Sequence, residues 1–310
     1  MFCKIERFFH PFAMINDMIK SHVRTILSLQ KQIVFQQKAT ALTNLALSSK
    51  ETGVSPNKIC DNEVIVSLTS YGKRIHDVYL AIESIMQGSL KPNRIILWLS
   101  EDEFKNKTLP TTLQNQIKRG LEIKYCKDIK SFKKIIYALK EFPDACIITI
   151  DDDLIYNFDL VENLVRAHES NPNCIWANRI HEMTYNENGS LKKYCQWKWN
   201  SRTGAKDSKH NFFTSGGGTL FPPHSLNDEV LNEDVFMKLC PTADDVWLNA
   251  MARLQKTEIC KSFTHDPKGE DFLVNENLQA DGLNSINNAP ENNQNDIQIR
   301  AVFERYRINN

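Results

Sequence analysis

Apolar, β-branched runs alternate with segments of helical spacing between residues 64 and 150. The runs predict strands at residues 64–69, 94–99 and 146–150, and a further strand is expected at residues 121–126. Helical spacing lies between them, at residues 75–86, 113–119 and 131–142. Strands and helices that alternate with short connections are typical of βαβ units and a mostly parallel sheet. We therefore expect an α/β domain with Rossmann-like topology.

The alternation weakens after residue 150. The pattern there predicts helices at residues 160–170, 244–254 and 296–306, and short strands at residues 174–177 and 258–263. Asp296 is the candidate cap of the last helix. Polar and aromatic residues fill 181–212, including Trp197 and Trp199, and Asn, Asp, Glu and Gly dominate 266–296. Both segments are expected to be insertions or loops.

The first 60 residues differ in composition from the rest and predict a helical extension. Between Met18 and Lys50 there is no acidic residue, but there are several basic ones: Lys20, Arg24, Lys31 and Lys38. Apolar residues recur there at roughly helical spacing: Ile15, Ile19, Val23, Ile26 and Ile33. A basic amphipathic helix can lie on an anionic membrane, and it can equally pack on its own domain or on a second subunit. The sequence leaves open peripheral membrane contact and self-association through residues 13–50.

Composition narrows the class of protein. The 310 residues include 38 Lys and Arg and 38 Asp and Glu, so the net charge is zero, which argues against broad nucleic-acid binding. No apolar stretch is long enough to span a bilayer, and the N-terminus lacks the features of a secretory signal. The eight cysteines form no Cys-x-x-Cys pair, so no zinc cluster is expected. We expect a cytoplasmic protein, with peripheral attachment to the inner face of the membrane left open.

The run Ile147–Ile150 ends in three consecutive carboxylates, Asp151-Asp152-Asp153. Like charges at the end of a buried strand repel one another unless a cation is present. Open α/β sheets bind ligands at the carboxyl ends of their strands, and carboxylate oxygens suit Mg²⁺ or Mn²⁺. The triplet therefore predicts a divalent metal with a phosphorylated ligand. The alternative is a solvated acidic turn.

Two further motifs are candidates for chemistry. In the segment Thr242-Ala243-Asp244-Asp245, Thr242 is positioned to cap a helix, one carboxylate suits the helix dipole and the other is available as a general base. The triplet Gly216-Gly217-Gly218 permits close approach of the backbone to a ligand, although it is equally compatible with a flexible turn. The P-loop and the Gly-x-Gly-x-x-Gly pattern are both missing, which argues against a kinase, an ATPase or an NAD enzyme.

Taken in order, these motifs make the chain resemble a bacterial glycosyltransferase of the GT-A fold, close to the family 2 type. The segments that carry the resemblance are residues 66–75, 91–98, 133–140, 149–153, 216–218 and 243–247. The similarity covers roughly residues 62–265. It implies a mostly parallel central sheet flanked by helices within a domain at 61–266. Residues 1–60 would then form an N-terminal helical extension, and 267–310 a polar loop and terminal helix packed on the domain.

The resemblance implies roles in binding the donor. Thr69, Tyr71 and Arg74 would line the nucleotide pocket, and Asp152 would face the ribose. Lys134 would reach the diphosphate, although Lys133 and Lys134 are equally compatible with the solvated side of a helix.

The resemblance also implies a metal site and a catalytic base. Asp151 and Asp153 match the family's Asp-x-Asp motif and would hold the metal, with His265 as a third ligand. Asp245 would deprotonate the acceptor hydroxyl, and Asp244 is the next candidate.

The implied activity is metal-dependent transfer of a sugar from a nucleotide-diphosphate sugar to an acceptor hydroxyl, with inversion. Gly216, Gly217 and Gly218 would lie near the donor sugar. The acceptor would be a glycan or a lipid-linked glycan in the synthesis of surface polysaccharide or lipopolysaccharide, with Mn²⁺ or Mg²⁺ as cofactor. Two alternatives are a haloacid-dehalogenase-like phosphatase, which has an Asp-x-Asp motif after an apolar strand, and a non-catalytic carbohydrate-binding protein of the same fold.

Overall fold

The computed structural model describes residues 2–266, 270–278 and 293–308, with side chains from residue 15 onward. The chain divides into two compact units, Met1–Ala41 and Leu42–Asn310. One continuous helix, α1 (Phe2–Ser48), makes up the described part of the first unit and ends in the second. Within the described residues, no helix is both long enough and apolar enough to span a bilayer.

The second unit contains strands and helices in alternation. The strands are β1 (Val64–Thr69), β2 (Arg94–Ser100), β3 (Leu121–Cys126), β4 (Cys146–Thr149), β5 (Leu154–Tyr156), β6 (Ile175–Ala177), β7 (Ile180–Glu182), β8 (Asn211–Phe213), β9 (Thr219–Phe221), β10 (Ile259–Lys261) and β11 (Phe272–Val274). The helices are α2 (Tyr79–Met86), α3 (Glu101–Phe104), α4 (Thr111–Ile117), α5 (Lys133–Glu141), α6 (Leu160–Ser170), α7 (Glu233–Leu239), α8 (Asp244–Gln255) and α9 (Gln294–Tyr306).

Seven of the described strands form the central sheet, in the order β10-β6-β9-β4-β1-β2-β3. Neighbouring strands run parallel except at β9, which is antiparallel to both β4 and β6. The predicted α/β architecture, with a mostly parallel, Rossmann-like central sheet, is confirmed. Strand β4 lies near the middle of this sheet, so the acidic triplet that follows it emerges at a central position.

Helices cover both faces of the sheet because successive side chains of a strand point in opposite directions. Ile65 and Ile147 pack in one cluster with residues of α5 and α8. Val66 and Ile148 pack in a second cluster with residues of α2 and α6. All four side chains are fully buried. This packing explains why the central strands are apolar on both faces, as parallel strands between two helical layers must be.

The structure differs from the predictions mainly in short elements. The segment 181–212, expected to be a loop, contributes to a two-stranded antiparallel sheet of β7 and β8. Trp197 is buried in this region, whereas Trp199 is half exposed and stacks on the ring of His181. Strand β9 was not predicted, because it lies between the glycine triplet and Pro222-Pro223, which are typical of turns.

The C-terminal region also differs. Strand β11 lies in the predicted loop 266–296 and pairs with β5, while 267–269 and 279–292 lie outside the described residues. The predicted cap Asp296 is wrong: the side chain of Asn293 caps α9 and accepts a hydrogen bond from the backbone N–H of Asp296. Asn293 begins the helix earlier than the apolar spacing suggested. Thr242 is not the cap of α8 either: Ala243 occupies the N-cap position, and the Thr242 hydroxyl donates to Gln298.

A buried ion pair joins α2 to the end of α4. The Glu83 carboxylate accepts hydrogen bonds from Arg119 Nη1 at 2.9 Å and from Gln116 Nε2 at 2.9 Å. The side chains of Arg119 and Glu83 are 3% and 0% exposed. Removing one member of such a pair leaves the other charge buried without compensation.

We predict that Arg119→Met lowers the free energy of unfolding by about 3–5 kcal/mol, because Glu83 loses its charged partner. Urea unfolding at neutral pH measures the change. Lys58→Met is the control, since Lys58 pairs with Asp61 on the surface and both side chains are largely exposed. That variant should lose less than about 1 kcal/mol. Equal losses in the two variants would contradict a stabilising role for the buried pair.

Candidate active site

The acidic triplet and the glycine triplet meet at the carboxyl end of β4. Thr149, the last residue of β4, pairs with Thr219, the first residue of β9. Because β9 is antiparallel, the segment that precedes it lies beside the segment that follows β4. The register of these two strands therefore brings Asp151 next to Gly216.

Lys134 connects the first carboxylate to helix α8. Its ammonium donates to Asp151 Oδ1 at 2.6 Å and lies 3.1 Å from Asp244 Oδ2. The side chain is buried, so it is not on a solvated helix face. Burial disfavours its charge, but Asp151, Asp244 and Asp245 outweigh that effect and raise the pKa of Lys134. Burial likewise opposes the charge of Asp151, and Lys134 outweighs it and lowers the pKa of that carboxyl.

Arg74 holds the second and third carboxylates. Its Nη1 donates to Asp152 Oδ1 at 2.7 Å and to Asp153 Oδ2 at 3.2 Å. Asp152 also accepts from the Ser70 hydroxyl at 2.6 Å. Burial raises the pKa of Asp152 to about 6, although Arg74 opposes that shift. The backbone carbonyl of Asp153 accepts from the Asn275 N–H at 2.8 Å, which ties the triplet to the segment after β11.

The contact between the two triplets depends on Gly216. A Cβ atom at this position would lie 1.7 Å from Asp151 Oδ2, so no other residue fits without displacing the carboxylate. Tyr156 stabilises the same contact through two hydrogen bonds. Its hydroxyl accepts from the Asp151 N–H at 2.8 Å and donates to the Gly216 carbonyl at 2.6 Å.

The other two glycines are also sterically required. A Cβ at Gly217 would lie 2.8 Å from the Cβ of Arg179. Gly218 has φ +94°, a conformation that side chains with a Cβ rarely adopt, and a Cβ there would lie 2.7 Å from Leu160 Cδ1. The glycine triplet is thus a turn shaped by close contacts, and the flexible-turn alternative does not describe it.

Asp245 lies in the first turn of α8, across the glycine loop from Asp151. Its Oδ1 accepts from the Ser215 N–H at 2.8 Å and from the Ser215 hydroxyl at 2.5 Å. Burial and the neighbouring Asp244 raise the pKa of Asp245 to about 6. A carboxylate with a pKa in this range can accept a proton near neutral pH.

The segment after β1 places the other residues that were expected to bind a nucleotide. The Thr69 hydroxyl donates to the Trp98 carbonyl at 2.8 Å, so it joins β1 to β2. Tyr71 is 39% exposed, and the guanidinium carbon of Arg74 lies 5.1 Å from the centre of its ring. Tyr71 is therefore an accessible aromatic surface beside the acidic triplet.

The structure places His265 in a pair with Asp159. Its Nε2 lies 2.5 Å from Asp159 Oδ2, and its backbone N–H donates to Asp271 Oδ2 at 2.5 Å. The hydrogen bond with Asp159 raises the pKa of His265. Metal binding through Nε2 would require this pair to break, and that role stays a prediction.

Sequence patterns did not single out several residues of the site. Arg179 is the main one: its Nε donates to Thr214 Oγ1 at 2.5 Å, and its charge helps to lower the pKa of Asp151. Ser215 and Tyr156 are the others, since they bond Asp245 and the glycine loop. No local pattern marks these residues, because their partners come from other parts of the chain.

The charges at this edge of the sheet do not balance. Its described carboxylates are those of Asp151, Asp152, Asp153, Asp244 and Asp245. The cationic side chains that face them are Arg74, Lys134 and Arg179. Formally, two negative charges are left over, which is the charge that a divalent cation neutralises. The donor atoms are hard carboxylate oxygens, so the residues present fit Mg²⁺ or Mn²⁺, with Asp151 and Asp153 as the groups that would hold it.

The chain matches no protein-family model and no curated protein. Among solved structures it is similar to the mannosyltransferase PcManGT from Pyrobaculum calidifontis in complex with GDP-Man and Mn²⁺. The identity is 10% and the TM-score 0.40, over 78% of this chain and 67% of that chain. This likeness is too distant to assign a role to any residue here.

We predict that Gly216→Ala separates the glycine loop from the acidic triplet, because the added Cβ needs the space of the Asp151 carboxylate. The affinity for Mn²⁺, measured by calorimetry, should fall at least about tenfold. Gly189→Ala is the control, since nothing lies within 4 Å of its Cβ position, although its φ is +80°. It should retain full binding. Unchanged binding in Gly216→Ala would show that the close contact is dispensable.

Proposed function

We propose that the chain is a metal-dependent glycosyltransferase that moves a sugar from a nucleotide-diphosphate sugar to an acceptor hydroxyl. The observation that carries this proposal is the mixed cluster at the carboxyl end of β4. There a set of carboxylates suited to a divalent metal, buried cations and a separate carboxylate with a raised pKa occur together. Donor binding, departure of a diphosphate and deprotonation of an acceptor need these three kinds of group.

The cations suit the diphosphate. Arg74 and Lys134 are held in place by ion pairs with Asp152 and Asp151. A phosphate oxygen can replace a carboxylate oxygen as acceptor of their hydrogen bonds. Tyr71, exposed beside Arg74, offers a ring on which the nucleotide base can stack. Arg74 also bonds Asp152, the carboxylate for which the family resemblance implies a contact to the ribose.

The transfer step follows from Asp245. Its carboxylate accepts the proton of the acceptor hydroxyl while the hydroxyl oxygen forms a bond to the anomeric carbon. The bond between that carbon and the diphosphate oxygen breaks, and the diphosphate leaves with the electron pair. A bound divalent metal would stabilise the leaving diphosphate as a Lewis acid. A single displacement of this kind inverts the anomeric centre.

Ser215 orients Asp245 for this step. Both of its hydrogen bonds go to Oδ1, so they fix the plane of the carboxylate and leave Oδ2 as the oxygen that would face an acceptor. The main partner of Asp244 is different: its Oδ2 lies 3.1 Å from the Lys134 ammonium and 3.5 Å from the Ser215 hydroxyl. We therefore assign the base to Asp245 and a structural charge pair to Asp244.

The position of β4 argues against the phosphatase alternative. In that class the Asp-x-Asp motif follows the opening strand of the domain. Here β1, β2 and β3 precede the acidic strand in the chain and lie on one side of it in the sheet.

The acceptor class, a glycan or lipid-linked glycan, and a role in surface polysaccharide synthesis are proposed from the family resemblance alone.

We predict that one nucleotide among UDP, GDP, CMP and dTDP raises the melting temperature only when Mn²⁺ is present. Ligand at about 100 times its dissociation constant adds about 2.7 kcal/mol to the stability of the native state. Asp153→Ala should abolish the metal-dependent shift and stay folded, because Arg74 keeps Asp152 as its partner.

Asp61→Ala is the control for this panel, since its side chain is 98% exposed and pairs only weakly across the surface with Lys58. It should respond as the native protein does. A normal Mn²⁺-dependent shift in Asp153→Ala would contradict the metal assignment. If no nucleotide shifts the native protein, the proposed function fails and phosphatase activity is the next assay.

We predict that Asp245→Asn binds the donor with unchanged affinity but transfers sugar about 10²–10⁴ times more slowly, because the amide cannot accept the proton. The amide oxygen can still accept both hydrogen bonds from Ser215, so the loop should keep its shape. Asp234→Asn is the matched control: Asp234 also lies in the first turn of a helix, α7, but it is exposed.

The pH dependence tests the same assignment. The pKa of Asp245 is raised to about 6, so it keeps its proton to a higher pH than an ordinary carboxyl does and becomes a base only above that value. For the native protein, kcat/KM should rise about tenfold per pH unit below about 6 and level off above it. The residual activity of Asp245→Asn should lack this rise. If it persists there, another group is the base.

A further inference from the structure

Helix α1 exposes an unusual number of large apolar side chains. Between residues 15 and 34 they are 43–61% exposed: Ile15, Met18, Ile19, Val23, Ile26, Leu27, Leu29, Ile33 and Val34. Single exposed apolar residues are ordinary, but nine within twenty residues of one helix form a contiguous patch. Such a patch marks a surface that binds something less polar than water.

These residues share one side of the helix. At 100° per residue they fall within about half of its circumference. Ser21, Thr25, Ser28 and Gln32 occupy the other half and are exposed as well. Asn16, His22 and Gln30 are polar positions inside the apolar half. We call the nine residues and the half of the helix they occupy the apolar face.

Basic residues border this face along one edge. Lys20, Arg24, Lys31 and Lys38 project within a narrow sector next to Leu27 and Val34, as the helical rotation of 100° per residue requires. Asp17, which lies 4.0 Å from Lys20, is the sole acidic residue between positions 15 and 50 of the sequence. The segment therefore carries a clear positive charge although the whole chain is neutral.

We propose that the apolar face of α1 lies in the surface of an anionic lipid bilayer. A helix with an apolar half, a polar half and a row of Lys and Arg suits the boundary between lipid headgroups and acyl chains. The lysine and arginine stems lie along the apolar boundary, and their charged ends reach the phosphates. In this proposal the helix lies in the plane of the surface, because one half of it is apolar and the other half is polar.

A second copy of the chain fits the same face less well. The seam of a two-stranded coiled coil is narrower than half a helix, and its flanks usually carry residues of both signs that pair between chains. Here the bordering charges are basic, so two copies would bring like charges together. An anionic surface instead attracts each of these residues.

The test is co-sedimentation of the full chain with vesicles of phosphatidylcholine, with and without phosphatidylglycerol. Binding is expected to the vesicles that contain phosphatidylglycerol and to fall as salt rises. Ile26→Glu with Ile33→Glu should weaken it about 100-fold or more, because two apolar anchors are lost. Ser28→Glu with Gln32→Glu is the matched control: it adds the same charge on the polar half and should weaken binding much less.

A second pair of changes tests the charge. Lys20→Gln with Lys31→Gln should weaken binding to the anionic vesicles roughly 30-fold, about fivefold for each residue. Equal loss in the two glutamate variants, or equal binding to both kinds of vesicle, would overturn the proposal. So would no vesicle binding together with a dimer by light scattering that Ile26→Glu with Ile33→Glu dissociates, since the face would then belong to a second copy. None of these outcomes depends on sugar transfer, so they leave the proposed function untouched.

Discussion

The buried ammonium of Lys134 is the interaction on which the candidate site depends. It lies between Asp151, at the end of the central strand, and Asp244, at the start of α8. Without it, carboxylates from two separate elements would face each other in a poorly solvated space, and their repulsion would push those elements apart. The lysine lets the loop after β4 and the first turn of α8 approach, which in turn brings Asp245 close to the glycine loop.

The sequence predicts the part of this arrangement that depends on local patterns. Strands β1, β2 and β4 are visible because each is an apolar run, β3 because its apolar residues alternate with polar ones, and α6 from its spacing alone. The two acidic motifs and the glycine triplet stand out because charge and glycine are rare inside apolar segments. Their common location follows from topology, since carboxyl ends of parallel strands meet at one edge.

The rest depends on partners that are distant in the chain. Strand β9 is three residues long, and only its pairing with β4 and β6 makes it a strand. Asn293 replaces Asp296 as the cap because the helix begins before its first apolar residue. Arg179 has no sequence pattern of its own, yet it faces Asp151 from another element. A short strand, a helix cap and a single cation can each be recognised only from contacts that form when the chain is folded.

The excess of negative charge and the raised pKa values have a common physical origin. Arg74 and Lys134 neutralise part of the cluster, and burial makes the remaining charge expensive, so Asp152 and Asp245 hold their protons up to a pH of about 6. A divalent cation bound together with a diphosphate would balance these charges. The metal would bind the carboxylates, and the phosphates would accept hydrogen bonds from Arg74 and Lys134. Asp245 stays outside that exchange, bonded to Ser215. Asp245 would therefore bind neither the metal nor the donor's phosphates, and it would stay available to accept the proton of the acceptor hydroxyl.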